Sequence, residues 1–406
     1  MSLSKIETLL QDKVSQLRQQ GISKGREKVI TGILPAVDGF GPRYLLEGFG
    51  SRHFLRMNAN AYLGLGLDPR VIRAEAEAVE TYGAGPGAVR FISGTYRPHV
   101  ELEKQLAEFH GREAAMLFSA AYATMLGVLP LLIAEDTLVV SDALNHNCII
   151  NAIRLAQPVR KEVFAHGDLA ALDAILAAYR GLVKRVCVVV DGVFSMRGDH
   201  AELGKISAIC RQHEDTYEQG IITLVDDSHG VGAFGKTGRG TEEVTGGKAD
   251  ILIGTLGKAF GVNGGYVASS AAVIAYLRES APLYIYSNPI TPGEAAAASA
   301  ALRVVDSPEG AQLLETLRGL SLHLRNGLQR LGFETLPGEH PIVPLLIRDT
   351  DKTAALVDHL FAHNILATGL NYPVVPKGEQ EIRLQVSANH TAKDLDYLLD
   401  KLACFP

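Results

Sequence analysis

From about residue 68 onward the chain alternates amphipathic helical patterns with short apolar runs. VIRAEAEAVETYG and PHVELEKQLAEFHG carry apolar side chains at three- and four-residue spacing, which predicts helices. AAMLF, DTLVV, KEVF, KRVCVVV, IITLV, DILIG and GGYVA are short and rich in β-branched residues, which predicts strands buried on both faces. Helical patterns such as ALDAILAAYRG and LGKISAICRQH separate them, a βα rhythm that predicts a mostly parallel sheet sandwiched by helices. The Ala-rich residues 292–305 predict a long helix leaving this layer. Beyond it the rhythm changes: a helix over EGAQLLETLRGLSLHLRNGLQRLG, then PIVPLLIR, KTAALVDHLFAHN, ILATGL, EIRLQVS and TAKDLDYLLDKLACF, a smaller α+β arrangement. The expected organisation is an N-terminal arm over 1–58, a large α/β domain over 59–292 and a small C-terminal α+β domain over 293–406.

Composition narrows the function classes. With 47% hydrophobic and 21% charged residues among 406, the chain can bury a large core, so disorder is excluded. A net charge of −6 with interspersed signs excludes a nucleic-acid surface. The four cysteines are scattered without a CxxC pair, which predicts buried free thiols in a reducing compartment and no metal site. The opening SLSKIETLLQDKVSQLRQQG is charged throughout, unlike a signal peptide, and the longest uncharged run, 119–134, is short for a membrane span and contains Pro130. A cytoplasmic protein with no membrane association is expected.

Candidate chemistry lies where the predicted strands end, since ligands of open α/β sheets bind outside the carboxyl ends of the strands. Asp226-Asp227-Ser228-His229-Gly230 follows IITLV, Thr255-Leu256-Gly257-Lys258-Ala259 follows DILIG, and Asp191-Gly192-Val193-Phe194-Ser195 follows KRVCVVV. A lysine in a Gly-rich turn after a buried strand can form a Schiff base if its surroundings lower its pKa. Alone, Lys258 would read as a surface loop residue and Asp226 as a helix cap. Together they gain meaning, because an aspartate facing a pyridine nitrogen keeps it protonated and preserves the ring as an electron sink.

These residues, with YGAGPGAVRFISGT, LEKQLAEFHGREAAMLF, DALNHNCII, GVFSMRGD, LVDDSHGVGAFGKTGRG, TLGKAFGVNGGY and IYSNPITP, resemble the α-oxoamine synthase family of fold-type-I pyridoxal 5′-phosphate (PLP) enzymes. That family includes 2-amino-3-ketobutyrate CoA ligase, 8-amino-7-oxononanoate synthase, 5-aminolevulinate synthase and serine palmitoyltransferase. The resemblance runs from Asn60-Ala61-Tyr62-Leu63-Gly64 to Val386-Ser387-Ala388-Asn389-His390-Thr391. It implies an aspartate-aminotransferase-like α/β fold and a PLP-dependent acyltransferase that condenses an amino acid with an acyl-CoA or acyl-carrier-protein thioester, with decarboxylation, to an α-amino ketone. Glycine C-acetyltransferase activity, or an aminotransferase or lyase of the same fold, is the alternative.

The resemblance also implies roles. Lys258 would carry the cofactor, Asp226 would pair with its ring nitrogen, and His229 and Ser195 would approach its phenolic oxygen. His146 would stack on the ring; the other reading is a helix-terminal histidine. Thr255 and the backbone of Ala121 and Tyr122 would hold the phosphate, and Ser287 would reach the phosphate of a neighbouring subunit, implying a homodimer with shared sites. Arg383 and Asn60 would hold the amino-acid carboxylate, and 83–87 would line the substrate side near Arg90. The glycines of 83–87 lack the register and the preceding strand of a dinucleotide loop. The chain departs from the family pattern at Arg197, Met125, Ala120 and Ala121, and HEDTYEQG reads as an insertion before the Asp226 strand. Arg197, Met125 and the Ala120-Ala121 pair are expected to border the site.

Overall fold

The computed structural model describes residues 3–20, 23, 27–372 and 374–405. By contacts the chain forms two units: Asn60–Ser321 with Pro337–Pro341, and the residues up to Ala59 with Leu322–Leu336 and those from Ile342 on.

The larger unit is built on seven strands, β1 (Ala114–Phe118), β2 (Thr137–Asp142), β3 (Arg160–Phe164), β4 (Arg185–Asp191), β5 (Ile221–Asp226), β6 (Ile251–Thr255) and β7 (Gly265–Ser269). Their order across the sheet is β1-β7-β6-β5-β4-β2-β3. Strands β2 to β6 pair in parallel, and β7 runs antiparallel to both neighbours. The link 256–264 explains the reversal, because a parallel return needs a crossover of about a dozen residues or more. Strands β2, β6 and β7 are buried at every position, whereas the edge strand β3 alternates and exposes Lys161 and Val163.

One face of the sheet is covered by the helices Ala121–Leu132 and Asn147–Ala156 over a core that includes Met116, Phe118, Val139, Val189, Ile253 and Val267. The first helix is apolar over most of its circumference and buries Met125, Val128, Leu129 and Leu132, while Tyr122 in its first turn is exposed. Register fixes the functional edge: Asp191 stands opposite Asp226, Asp226 opposite Ile253, and Thr255 opposite Gly265. The parallel strands therefore end along one rim.

The expected boundary near 292 falls inside this unit. Helix Pro292–Val305 begins with a Thr291/Glu294 capping box and packs against Pro69–Tyr82 and Arg97–Phe109. Its buried alanines let the neighbouring backbones approach closely.

In the smaller unit four antiparallel strands lie in the order Glu334–Thr335, Ile342–Leu346, Glu381–Gln385, Thr368–Leu370. Helices Thr350–Ala362 and Ala392–Ala403 accompany them. Much of the expected arm is part of this unit. Leu55–Arg56 pairs in parallel with Ile365–Leu366, Arg43 forms an ion pair with the buried Asp394, and Gly41 N donates to Asp394 Oδ2 at 2.9 Å. Helix Leu3–Gln19 buries no residue.

Among the described residues no helix is long and apolar enough to cross a membrane. Cys148, Cys187 and Cys210 are buried free thiols; Cys404 is exposed, against expectation, because it follows the last helix.

Candidate active site

The rim of the sheet opens into a cavity of about 240 Å³. Ala121, Tyr122, His146, Ser195, Asp226, His229, Thr255 and Lys258 all line it, so eight residues picked out from separate motifs meet in one place.

One pole suits an anion. Helix Ala121–Leu132 starts three residues after β1, and no side chain caps it among the described residues, which leaves first-turn N–H groups and the positive end of the helix dipole at the cavity. The close approach depends on Gly265, where an added Cβ would lie 2.3 Å from Ala121 N. Thr255 contributes its hydroxyl, which accepts from Gly257 N at 3.2 Å and donates to Gly264 O at 3.2 Å. Half-buried Lys258 sits in the turn between β6 and β7, closed by Gly261 N donating to Lys258 O at 3.1 Å.

The other pole is acidic. Asp226 is 5% exposed; its Oδ1 accepts from Ser228 N at 3.1 Å and its Oδ2 from Cys148 Sγ at 3.3 Å. Asp191, next to it across the β4–β5 pairing, accepts from His146 N at 2.8 Å. Burial first, and then the negative charge of Asp226, push the Asp191 carboxyl well above the usual carboxylate range, opposed by the His146 amide and the charge of Lys258. Burial likewise pushes the Cys148 thiol up, so it serves as a neutral donor.

His229 is held from two sides. Tyr62 Oη lies 2.7 Å from its Nδ1, and His340 Nε2 donates to its carbonyl at 2.9 Å. Tyr62 is fully buried and also lies 3.3 Å from Asn60 Oδ1. His146 satisfies both readings of its sequence position: its Nδ1 caps helix Asn147–Ala156 by accepting from Cys148 N at 3.2 Å, and its ring lines the cavity edge-on to Tyr122 at 6.3 Å.

This donor set fits PLP: an uncapped helix start with a hydroxyl for phosphate, a carboxylate for a ring nitrogen, and a lysine for an aldehyde. Ser228 Oγ, buried in the cavity wall without a hydrogen-bond partner among the described residues, is a further polar atom in want of a ligand.

Comparison with known proteins agrees with the geometry. The family described as aminotransferase class I and II matches residues 52–402. The 8-amino-7-oxononanoate synthase of Geobacter sulfurreducens is 38% identical over 392 residues, 96% of this chain and 96% of that one. This chain belongs to the α-oxoamine synthase family. Serine palmitoyltransferase from Sphingomonas wittichii superposes with a TM-score of 0.87 at 27% identity, covering 99% of this chain and 97% of that one. A lysine-to-alanine variant of the S. paucimobilis serine palmitoyltransferase, with a bound PLP–myriocin aldimine, gives 0.86 at 26% identity, covering 99% and 97%. The fold, the dependence on PLP and the class of acyltransferase expected from the motifs hold for this α-oxoamine synthase.

Several expected residues of this α-oxoamine synthase are not among those that line the cavity. Ser287 is half-buried in the turn after Pro282–Ile285, and Arg383 sits in the sheet of the smaller unit, opposite Pro344 and Thr368. Arg90 is turned to Glu103, whose oxygens it meets at 3.0 and 3.2 Å, and Arg278 joins the same carboxylate at 2.8 Å. Met125 does not border the site; it is fully buried on the core side of its helix. Arg197 pairs with Asp199 at 2.8 Å. Glu214–Thr216, in the segment read as an insertion, forms a single 3₁₀ turn before β5.

Motif reading assigned no role to four contributors. Tyr62, Cys148 and Asp191 lie inside motifs already quoted, but only strand register and long-range packing reveal their contacts. The fourth is His166. Its Nδ1 meets both oxygens of Asp142 at 3.2 Å, its Nε2 meets Asp199 at 3.3 Å, and Phe194 packs on its ring at 4.3 Å. The two carboxylates raise it to about 9, a cation at neutral pH that ties the turn bearing Ser195 to β2.

Proposed function

We propose that the chain joins an α-amino acid to an acyl thioester and releases the amino acid's carboxylate as carbon dioxide, giving an α-amino ketone. The observation that carries this reading is the convergence of Lys258, Asp226, His229 and His146 on one cavity beside an anion-holding helix start. The name of the Geobacter relative supports the product class: in 8-amino-7-oxononanoate an amine-bearing carbon adjoins a ketone and carries no carboxylate.

PLP, when bound, supplies an aldehyde for the substrate amine and a ring that takes up electron density from the α carbon. In this reading Lys258 anchors the aldehyde and moves the α proton at Nζ. Asp226, aligned by Ser228 N and the Cys148 thiol, holds the proton of the ring nitrogen. Thr255, with the amides of Ala121 and Tyr122, binds the phosphate. His229 and Ser195 donate to the phenolic oxygen. His146 accepts at Nδ1 from Cys148 N, so in its neutral form the proton resides on Nε2, available to an oxyanion developing on the thioester carbonyl. A bond forms between the α carbon and that carbonyl, the carbon–sulfur bond breaks, and the thiol departs with a proton; the bond from the α carbon to its carboxylate then breaks, carbon dioxide leaves, and the α carbon takes a proton back from Lys258 Nζ.

Arg383 and Asn60 bind the amino-acid carboxylate, Arg383 through its planar fork. Two chains pair, and Ser287 serves the partner's phosphate. The exposure of its sequence neighbour Tyr286, 79%, supports a covered surface there.

The deciding assay is thiol release from a panel of acyl-CoA and acyl-carrier-protein thioesters mixed with the protein, PLP and single amino acids. One amino acid that yields thiol together with an amino ketone is the expected result; formation of a keto acid without any acyl donor, and no thiol, would overturn it.

A further inference from the structure

Tyr62 is fully buried, yet its hydroxyl stands between two polar partners rather than among apolar ones. It lies 2.7 Å from His229 Nδ1 and 3.3 Å from Asn60 Oδ1. His340 fixes the assembly from behind, donating to His229 O at 2.9 Å while its ring meets Tyr62 edge-on at 5.4 Å. We propose that Tyr62 is a positioning residue that sets the proton on His229 and couples His229 to Asn60. The proposal rests on the reading that His229 serves the cofactor's phenolic oxygen and Asn60 the amino-acid carboxylate.

A tyrosine hydroxyl has one proton to give and lone pairs with which to accept. The shorter contact takes that proton while His229 is neutral: Tyr62 donates to Nδ1, and the ring proton resides on Nε2. When His229 gains a second proton, Nδ1–H donates to Tyr62 Oη and the hydroxyl turns its own proton to Asn60 Oδ1. Both charge states are then hydrogen-bonded without displacement of heavy atoms. A carboxylate that draws Asn60 into a new orientation removes the acceptor that the second state uses, so occupancy at Asn60 is felt at His229. The other titratable groups around His229 include His340 behind it and, on the shared cavity, Asp226, Asp191, His146, Cys148, Tyr122 and Lys258.

The test is the protonation midpoint of His229, followed by ¹⁵N NMR of the full-length protein without cofactor or substrate, for wild type, Tyr62→Phe, Asn60→Ala and the double variant. Tyr62→Phe keeps the ring and removes only the hydroxyl. It is expected to lower the midpoint by about one pH unit, because buried His229⁺ loses its acceptor. Asn60→Ala lowers it by less, and the double variant shows no more than Tyr62→Phe alone, because Asn60 acts through the hydroxyl. An unmoved midpoint in Tyr62→Phe would overturn the proposal, as would an Asn60→Ala effect that persists undiminished without the hydroxyl. Should Tyr62→Phe fail to fold, Asn60→Ala decides by itself: no shift ends the coupling. None of these readings uses catalysis, so failure of thiol release would count against the acyl-transfer reading alone.

Discussion

Asp191 and Asp226 stand opposite each other at the ends of adjacent parallel strands, and Lys258 lines the same cavity. Burial, and then the negative charge of Asp226, act on the Asp191 carboxyl. It is Asp191 that is pushed upward.

Its folded-state pKa lies above the unfolded value, so the fold binds a proton that the unfolded chain has released, and stability falls as pH rises from about 4. Asp191→Asn is neutral at every pH and still offers an oxygen to His146 N. The variant should be more stable than wild type at pH 7, by about 1 kcal/mol or more, with the gap closing towards pH 4. Urea midpoints across that range check it; a variant less stable at pH 7 than at pH 4, relative to wild type, would refute the assignment.

His166 makes the opposite prediction. Raised to about 9, it stabilises the fold fully below its ordinary value near 6.5 and loses that contribution as pH climbs through 9. His166→Gln should therefore cost about 2 kcal/mol at pH 6 and much less at pH 10. Denaturation of both proteins at each pH measures this, and a difference that does not vary with pH would mean that His166 is not held as a cation.

Gly265→Ala tests the anion pole. The new methyl would meet Ala121 N at 2.3 Å and Ala120 C at 2.5 Å, both backbone, so the helix start must retreat from the rim. We expect PLP affinity, read by fluorescence titration, to fall by roughly tenfold or more, by the loss of about one charge-assisted hydrogen bond. Unchanged affinity would show that the first turn does not hold the phosphate.

The fold was largely legible because each strand announces itself locally: KRVCVVV and DILIG are apolar runs that end in polar residues, and the polar ends mark the rim. The reversal of β7 could have been read from the short link after Lys258. What stayed hidden depends on contacts between distant segments. Tyr62 meets His229 across 167 positions, and Arg90 meets a buried Glu103 rather than a ligand. The Ala-rich helix at 292 read as an exit because composition does not reveal what it packs against. Met125 looked like a site substitution only because it lies in the helix that starts at the rim; helical rotation carries it to the core face.

The central claim is that Lys258 carries the cofactor at this cavity. Borohydride reduction of the PLP-treated protein, followed by peptide mass mapping, measures it directly. The adduct should appear on the peptide containing Lys258 and vanish in Lys258→Ala; an adduct on another lysine, or none at all, would contradict the account.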